Sequence, residues 1–366
     1  MDTPAAISVV CSFGRGGVSQ THPCRHVDFV WLVLRGFCVL SFRGRTGQGG
    51  ISPRDESAPV MSDDIVEATE LTKDYGTVHA VRGIGFHIRR QECFGFLGVN
   101  GAGKTTTMKM VYCRIGATSG TLRVVGLDAA SHSAEIRRKL GVVTQANALD
   151  PELSVLENLL TYASFFDIPA ARRQAKSESA LALLNLSGRT RDRVRDLSGG
   201  LQRRLVIAKA LVTDPELLIL DEPTTGLDPQ ARLLVWETLA ALKRSGLTIV
   251  LTTHYMDEAA RLCDRIAIMD EGRIFALGTP AELIAAYAAP DVLEVSGADG
   301  DALTAAAGSL LVRRERLGDT DYLYTVDNSA LMHAFAARGI ELQRHVARPA
   351  TLEDVFLNIT GRELRD

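Results

Sequence analysis

A glycine-rich loop near residue 100 has the composition and spacing of a phosphate-binding site. Residues 98–106 read GVNGAGKTT and follow an apolar stretch, CFGFL, that predicts a buried strand. The backbone N–H groups of such a loop turn toward phosphate oxygens, and the start of the next helix adds its positive dipole end. Lys104 is expected to reach the β and γ phosphates, and the Thr105 hydroxyl to bind Mg²⁺. The sequence therefore predicts a site for ATP and Mg²⁺, with the phosphates contacted by Gly98, Asn100, Gly101, Ala102, Gly103, Lys104, Thr105 and Thr106.

Two adjacent carboxylates follow a second apolar stretch. Residues 217–220, LLIL, predict a buried parallel strand, and Asp221 and Glu222 come directly after it. Asp221 is expected near Mg²⁺, whereas Glu222 is the candidate general base that polarises the attacking water. An isolated acid pair is also typical of a helix start. Its position at the carboxyl end of a strand, downstream of the phosphate loop, favours catalysis by Glu222 together with Lys104.

A second candidate anion site lies between these two motifs. Ser198, Gly199 and Gly200 precede an apolar helical stretch, LVIAKALV. A hydroxyl and free N–H groups at a helix start bind anions, although the same residues could form only a cap and a turn. Since the phosphate loop already serves one set of phosphates, a second such element indicates a nucleotide bound between two copies of the chain.

Together these motifs resemble the nucleotide-binding subunits of ATP-binding-cassette (ABC) transporters. The similarity runs from about residue 65 to residue 283, and LSGG at 197–200 is its most specific part. It implies an α/β fold, the P-loop NTPase cassette, with a mixed or parallel sheet core and an inserted helical subdomain. It also implies a head-to-tail dimer in which each ATP is held by one copy's phosphate loop and by the other copy's Ser198, Gly199, Gly200 and Gln202.

The resemblance also implies roles for four further residues. Tyr75 would stack on adenine, unless it is a core tyrosine, and Gln145 would contact Mg²⁺ and the transport partner, unless it is an edge-strand glutamine. Asp228 would lie in the loop that joins the two copies. His254, after the apolar stretch TIVLTT, would contact the γ-phosphate as a third catalytic residue, although a lone strand-end histidine is usually structural.

Three other segments narrow the resemblance. Residues 149–158, 228–232 and 348–364 are similar to the nodulation-factor exporter ATPases, whose exporters have permeases of the ABC-2 type. This implies an ATPase of the translocase class, peripheral on the cytoplasmic face of the inner membrane. Its partners would be a separate integral membrane permease and a second copy of itself, and its cargo a lipo-oligosaccharide or a drug-like molecule.

The alternative is a soluble cassette ATPase acting on a ribosome, a nucleic acid or an assembly complex. Translation-type members usually carry two cassettes in one chain, and DNA-repair members place a long coiled coil between the phosphate loop and LSGG. This chain has one LSGG, and no heptad repeat precedes it. A purely binding role would require a broken catalytic set, which the sequence does not have. The transport interpretation is therefore favoured.

Length and segment composition predict three regions. The 366 residues allow two or three domains at about 150 residues each. Residues 1–60 carry six Arg and no Lys, and are expected to be a disordered extension or a stretch added by an early start codon, with a targeting peptide as the alternative. The nucleotide-binding domain is placed at 61–285, with its helical subdomain at about 146–200.

The third region is an accessory α+β domain at 290–366. Its strands are expected at 293–295, 322–326 and 341–347, and its helices at 301–311, 329–338 and 351–359. Its residue types carry no chemistry, so regulation, dimer contact or partner docking all stay open.

Composition excludes several classes. The chain is 46% hydrophobic and 23% charged, with a net charge of −3, so no nucleic-acid partner is expected. Six scattered cysteines without a CxxC pair predict reduced thiols. Arg35 interrupts the apolar run 28–42, which is then too short to cross a bilayer, so membrane work would need another chain.

Overall fold

The computed structural model describes residues 63–360, and the predictions for residues 1–60 lie outside that range. The first elements in chain order are β1 (Asp64–Tyr75), β2 (Val78–Arg89), β3 (Cys93–Leu97), α1 (Lys104–Val111), β4 (Ser119–Val124), β5 (Leu127–Asp128), α2 (Ser133–Arg138) and β6 (Leu140–Val143). They are followed by α3 (Val155–Ser164), α4 (Ala170–Leu183), α5 (Gly199–Leu211), β7 (Leu217–Asp221), α6 (Pro229–Arg244), β8 (Thr248–Thr253), α7 (Met256–Leu262), β9 (Arg265–Asp270), β10 (Arg273–Gly278) and α8 (Pro280–Tyr287).

A six-stranded sheet in the order β10-β9-β3-β8-β7-β6 forms the centre of the cassette. Its strands are parallel except for the edge strand β10. Each central strand is buried on both faces: Phe94 and Phe96 of β3 face one core, and Cys93 and Leu97 face the other. This explains the continuous apolar stretches in the sequence. Because the strands are parallel, the segments that follow β3, β7 and β8 all emerge at one edge of the sheet.

The two faces of this sheet are covered differently. An antiparallel sheet, β2-β1-β4-β5, and helix α1 share one core with it. Helices α3 to α8 pack into the core on the opposite face. The predicted α/β class with a mixed sheet core is therefore confirmed.

Helix α3 begins at Val155. The first residues of the helical subdomain, which the sequence analysis placed at about 146–200, form an irregular loop as far as Ser154. The Ser154 hydroxyl accepts from the Glu157 N–H, and the Glu157 carboxylate accepts from the Ser154 N–H, which is a capping box. Upstream, Asn158 binds the backbone of Asp150 through both its amide oxygen and its amide nitrogen, which keeps the loop folded back on α3.

The accessory region consists of β11 (Asp291–Ser296), α9 (Gly300–Ala307), β12 (Leu311–Leu317), β13 (Thr320–Thr325), α10 (Asn328–Ala337), β14 (Arg344–Pro349) and α11 (Leu352–Thr360). Its strands form a separate antiparallel sheet in the order β12-β13-β11-β14. Its core lies between this sheet and two helices, α9 and α10. The last helix, α11, instead inserts Leu352, Val355 and Phe356 into the core of the cassette.

One strand of this region was not predicted. The helix expected over 301–311 consists of α9 followed by a 3₁₀ helix at Gly308–Leu310, and β12, which the sequence analysis did not assign, begins at Leu311. Strand β12 reads LVRRERL and lies at the edge of its sheet. Because an edge strand is largely exposed, it shows little of the apolar alternation by which strands are recognised.

Two findings concern the described residues as a whole. No helix within 63–360 is long and apolar enough to cross a bilayer. The cysteines in this range, Cys93, Cys113 and Cys263, are free thiols, as predicted. The exact domain limits, including the helical subdomain, stay predictions.

A buried carboxylate connects α11 to the accessory sheet. Asp354 is 1% exposed and accepts hydrogen bonds from both terminal nitrogens of Arg348, at 2.7 and 3.0 Å. It also accepts from the Thr351 N–H at 2.7 Å and from the Tyr324 hydroxyl at 3.3 Å. Arg348 in turn donates to Glu294 on β11. These bonds link α11, β13, β11 and the end of β14.

We expect Asp354→Asn to lower the free energy of unfolding at pH 7 by about 3 kcal/mol, because loss of one partner from a buried ion pair costs about 3–5 kcal/mol. Burial opposes ionisation, but the hydrogen bonds from Arg348 and Thr351 outweigh it and lower the pKa of Asp354. The contribution is therefore complete above the unfolded pKa of about 3.9 and is lost as the pH falls through the folded pKa.

Urea denaturation of both proteins across pH 3–7 tests this, and the stability difference should narrow at the acid end. Glu353→Gln, at the exposed neighbouring position, is the control and should change stability by less than about 0.5 kcal/mol. Equal stability of the two variants at pH 7 would contradict the role given to Asp354.

Candidate functional site

The phosphate loop, residues 98–106, is built so that only glycine fits at two positions. A Cβ on Gly98 would lie 2.1 Å from the Met269 carbonyl oxygen, and one on Gly103 would lie 2.7 Å from the Ala80 carbonyl oxygen. Gly103 also has φ = 102°, in the left-handed region. Helix α1 starts directly after it, and no side chain among residues 63–360 caps the helix. Its first N–H groups are thus free for an anion, which fits the phosphates of ATP.

Lys104 lies inside this loop. Its side chain is 4% exposed, and Nζ donates to the carbonyl oxygens of Gly98 at 2.7 Å and Val99 at 3.0 Å. Burial lowers the pKa of Lys104, while the nearby charges of Glu222 and Asp221 raise it again. The ammonium is therefore kept at the centre of the loop and close to both carboxylates.

A hydroxyl and a carboxylate meet beside the loop. The Thr105 hydroxyl donates to Asp221 Oδ1 at 3.1 Å, and the Thr252 hydroxyl at the end of β8 donates to the same oxygen at 2.6 Å. Asp221 is 5% exposed at the end of β7. Hydroxyl and carboxylate oxygens are the ligands that Mg²⁺ prefers, so this pair fits the ion predicted from the sequence.

Glu222 occupies an unusual backbone conformation. Its φ is 47°, which is rare for a residue with a side chain. Its N–H donates to the Thr252 carbonyl at 3.1 Å and hydroxyl at 3.0 Å, which stabilises the turn. The left-handed conformation changes the direction of the chain immediately after β7. Such backbone conformations are frequent at active sites.

Three polar side chains surround the Glu222 carboxylate. The Gln145 amide nitrogen lies 3.5 Å from Oε2, and the Thr225 hydroxyl donates to the same oxygen at 3.1 Å. His254 Nδ1 lies 3.4 Å from Oε1 without hydrogen-bond geometry, so this buried nitrogen has no hydrogen-bond partner within residues 63–360. The phosphate loop, Asp221, Glu222, Gln145 and His254 are therefore brought together, as the sequence analysis expected of one site.

Two other predicted residues lie in different settings. Tyr75 is 48% exposed at the end of β1, where Lys73 Nζ lies 5.3 Å from its ring centre, so it is not a core tyrosine. Asp228 caps α6, because its carboxylate accepts from the Ala231 N–H at 2.8 Å. Stacking on adenine and contact between copies stay predictions for these residues.

The LSGG segment lies apart from the phosphate loop. Ser198 precedes α5 without a side-chain capping bond, and no hydrogen bond in the described part of the chain joins Ser198, Gly199 or Gly200 to residues 98–106. A Cβ on Gly200 would lie 2.6 Å from Ala231 Cβ, so α5 and α6 need glycine to pack here. Gln202 donates its amide to the carbonyls of Val194 and Leu197, so its described contacts are within its own copy.

One residue of the site was missed by the sequence analysis. Arg203 is 4% exposed on α5, and its guanidinium donates to the carbonyl oxygens of Thr144, Asp221, Glu222 and Pro223 at 2.7 to 3.1 Å. Burial lowers the pKa of Arg203 to about 10, against the raising effect of the neighbouring carboxylates. It ties the LSGG helix to the segments that carry Gln145 and Glu222.

A signal for this residue was present in the sequence. Arg203 is four residues before Ile207 and seven before Ala210, so it lies on the apolar face of its helix. An arginine at such a position must find buried acceptors.

Comparisons with protein families match two parts of the chain. Residues 81–225 match the ABC transporter family model, and residues 301–361 match the model of the nodulation factor export protein NodI, C-terminal domain. The first match contains the phosphate loop, LSGG and the Asp221-Glu222 pair.

Curated relatives extend the similarity to most of the chain. A Nod factor export ATP-binding protein I from Paraburkholderia xenovorans is 44% identical over 306 residues, which is 84% of this chain and 100% of the relative. The same-named protein from Ralstonia nicotianae is 44% identical over 311 residues, 84% of this chain and 97% of the relative. The chain belongs to the ABC transporter ATP-binding proteins.

Solved structures of ABC subunits resemble the cassette. The cbiO1 subunit from Clostridium perfringens, part of the ABC transporter complex cbiONQ, is 30% identical with a TM-score of 0.57, covering 61% of this chain and 91% of that chain. A dimeric cassette in a post-hydrolysis state, bound to ADP and phosphate, is 26% identical with a TM-score of 0.54, covering 58% and 98%.

The predicted function is thereby confirmed at the level of the family. This ABC protein is an ATP-binding, ATP-hydrolysing exporter subunit, and it belongs to a family whose ATPase subunits pair with a membrane permease and dimerise. The alternative of a soluble cassette ATPase is not favoured.

We expect Arg203→Lys to lower the free energy of unfolding by about 2 kcal/mol, because each buried acceptor left without a donor costs about 1–3 kcal/mol. A lysine ammonium is compact and cannot reach four carbonyls that a planar guanidinium spans. Arg204→Lys is the matched control, since Arg204 lies next to it and donates to the Leu184 carbonyl at 3.3 Å. Urea denaturation measures both, and equal losses would contradict the special role of Arg203.

Proposed function

We propose that this ABC protein powers an exporter with an ABC-2-type permease, on the cytoplasmic face of the inner membrane, and that its cargo is a lipo-oligosaccharide. The observation that carries the proposal is the match of residues 301–361 to the NodI C-terminal domain, together with relatives that align from end to end. The relatives are named for export of Nod factor. The cargo pathway itself lies in the permease.

Hydrolysis is assigned to the residues grouped around Glu222. Its carboxylate accepts the proton of the attacking water, and His254, 3.4 Å away, contacts the γ-phosphate from the next strand. Lys104 binds the β and γ phosphates: its Nζ gives up the hydrogen bonds to the carbonyl oxygens of Gly98 and Val99 and donates to phosphate oxygens instead. Tyr75 stacks on the adenine from its exposed position.

Mg²⁺ is assigned to the Thr105 and Asp221 side chains, with Gln145 beside them. When bound, the ion neutralises charge on the β and γ phosphates. Supporting this is the 3.1 Å contact of Thr105 with Asp221, which already places both oxygens at one point. Thr252 orients the Asp221 carboxylate by its own hydrogen bond.

The partner across the nucleotide is a second identical copy. The Ser198 hydroxyl makes no capping bond with its own helix, so it remains a donor and acceptor at the start of α5. In the head-to-tail arrangement, Ser198, Gly199, Gly200 and Gln202 of one copy face the phosphate loop of the other, with Asp228 between the copies. A related cassette forms a dimer with ADP and phosphate bound, which supports this arrangement.

We expect Glu222→Gln to keep ATP binding while ATP turnover falls by about 10²-fold or more, because the general base is lost. The amide preserves the shape of the side chain but cannot accept the proton. Phosphate release by the purified full chain measures turnover, and fluorescent-nucleotide titration measures binding. Asp257→Asn, at an exposed position near His254, is the control and should leave turnover unchanged. An unchanged rate in Glu222→Gln would remove Glu222 from the mechanism.

The face that contacts the permease is assigned to the end of α3. Phe165 is 76% exposed there, next to a half-buried aromatic pair, Tyr162 and Phe166, whose ring centres are 4.6 Å apart. The loop from Gln145 leads directly into α3 and connects this face to Glu222. An exposed aromatic cluster near a nucleotide-linked loop suits contact with a partner that moves with the nucleotide state.

A pull-down tests the partner and the face together. Tagged Glu222→Gln chain with ATP is expected to recover a polytopic membrane protein from detergent-solubilised native membranes, identified by mass spectrometry. Adding Phe165→Asp should reduce this recovery by about tenfold, equivalent to about 1.4 kcal/mol, without affecting ATP binding. Leu183→Asp, at a 60% exposed position on α4, is the control. Recovery of ribosomal proteins or a soluble assembly, and no membrane chain, would overturn the proposal.

A further inference from the structure

Glu258 is a buried carboxyl that the proposed hydrolysis mechanism does not use. It lies on α7, four residues after His254, and its side chain is fully buried. Its Oε1 accepts from the Thr224 hydroxyl at 2.7 Å and from the Trp236 indole N–H at 2.9 Å. Complete burial of a carboxyl costs free energy. Its presence here therefore indicates a structural or functional role.

Glu258 connects the chain after Glu222 to the helix after His254. Thr224, which donates to Glu258, is two residues after Glu222, and the next residue, Thr225, donates to the Glu222 carboxylate. Glu258 itself lies on α7, which begins two residues after His254. In the turn before α7, the Thr253 hydroxyl accepts from the Tyr255 N–H at 2.9 Å. Glu258 therefore links the two segments that bring Glu222 and His254 to 3.4 Å.

Helix α6, which begins at the Asp228 loop, is tied to the same point. Trp236 donates to Glu258 from two turns along this helix. One turn earlier, the Arg232 guanidinium lies 4.3 Å over the Tyr255 ring, and that ring packs on His254 at 4.2 Å between centres. A change in the Asp228 loop would thus reach His254 through two side-chain contacts.

The chemistry of the group suits a fixed hydrogen-bond acceptor. Burial raises the pKa of Glu258, and the Thr253 and Thr224 hydroxyls, the Trp236 indole and the charge of Arg232 oppose this increase without cancelling it. Its second oxygen, Oε2, is buried without a hydrogen-bond partner in the described part of the chain. A glutamine could occupy this place with its carbonyl oxygen on the same two donors.

We propose that Glu258 is a positioning residue for ATP hydrolysis: from the helix that follows His254 it binds the segment that follows Glu222, so that base and histidine keep their relative position. The inference rests on the roles proposed above for Glu222 and His254. Glu258 acts through these segments and does not itself meet the nucleotide.

Replacement of Glu258 by alanine distinguishes a role in positioning the catalytic residues from a role in nucleotide binding. We expect Glu258→Ala to lower kcat for ATP by about ten- to a hundredfold with an unchanged KM and nucleotide affinity, because a misplacement of about 1 Å at a reacting centre costs up to about 10²-fold. Glu258→Gln should restore kcat to within about twofold, since the acceptor for Thr224 and Trp236 is retained. Asp257→Ala, the exposed neighbour, is the matched control.

The same series distinguishes failure of this inference from failure of the proposed function. Equal kcat in Glu258→Ala and Asp257→Ala, while Glu222→Gln is inactive, would overturn the inference and leave the site intact. So would a Glu258→Ala variant whose nucleotide affinity falls in step with kcat, or a Glu258→Gln variant as slow as the alanine. Full turnover in Glu222→Gln would instead overturn the proposed function.

Two donor-side variants keep the test decisive if Glu258→Ala does not fold. Thr224→Val removes one hydrogen-bond donor and preserves the size of the side chain, and Trp236→Phe removes the other donor and leaves a smaller aromatic ring in its place. Each should lower kcat severalfold with an unchanged nucleotide affinity, and their effects should be less than additive because both act on one oxygen. Wild-type kcat in both variants would overturn the inference.

Discussion

Parallel pairing of β3, β7 and β8 is the constraint on which the rest of the cassette depends. Backbone hydrogen bonds between these strands place their carboxyl ends at one edge of the sheet. The phosphate loop, Asp221 with Glu222, and His254 each follow one of these strands. Because both faces of the sheet are buried in large cores, the strands cannot slide relative to each other without exposing apolar side chains. The geometry of the site is therefore set by the packing of the whole cassette.

Buried polar side chains connect the segments that leave this edge. Arg203 donates to four carbonyls of the segments around Gln145 and Glu222, and Glu258 joins the chain after Glu222 to the helix after His254. Both side chains hold their segments by a few hydrogen bonds in the low-dielectric interior. Displacement of either side chain would leave buried polar groups unpaired, which costs free energy. The left-handed turn at Glu222 is stabilised in the same way, by two bonds from its N–H to Thr252.

The accessory region uses the same principle at its junction with the cassette. Asp354 joins α11 to its own sheet, while Leu352, Val355 and Phe356 of this helix enter the core that contains α7. Helix α7 begins two residues after His254 and carries Glu258. It is therefore in contact with the accessory helix on one side and with the Asp228 helix on the other. The last helix of the region matched to the NodI C-terminal domain therefore contacts the helix that carries Glu258.

The sequence by itself determined the local motifs, because their chemistry depends on neighbouring residues. The loop at 98–106, the strands before Asp221 and His254, and the helix start at Ser198 all follow from short-range patterns of glycine, apolar runs and caps. Only the tertiary structure decided which side chains meet across the fold. The position of Arg203 on the apolar face of α5 indicates burial but not which carbonyls it binds, and Glu258 has the position of an ordinary acid in a first helical turn; packing removes both from water and supplies their partners. Strand β12 was missed for the same reason: an edge strand is specified by the neighbour it pairs with, and that neighbour is set by the fold and not by its own residues.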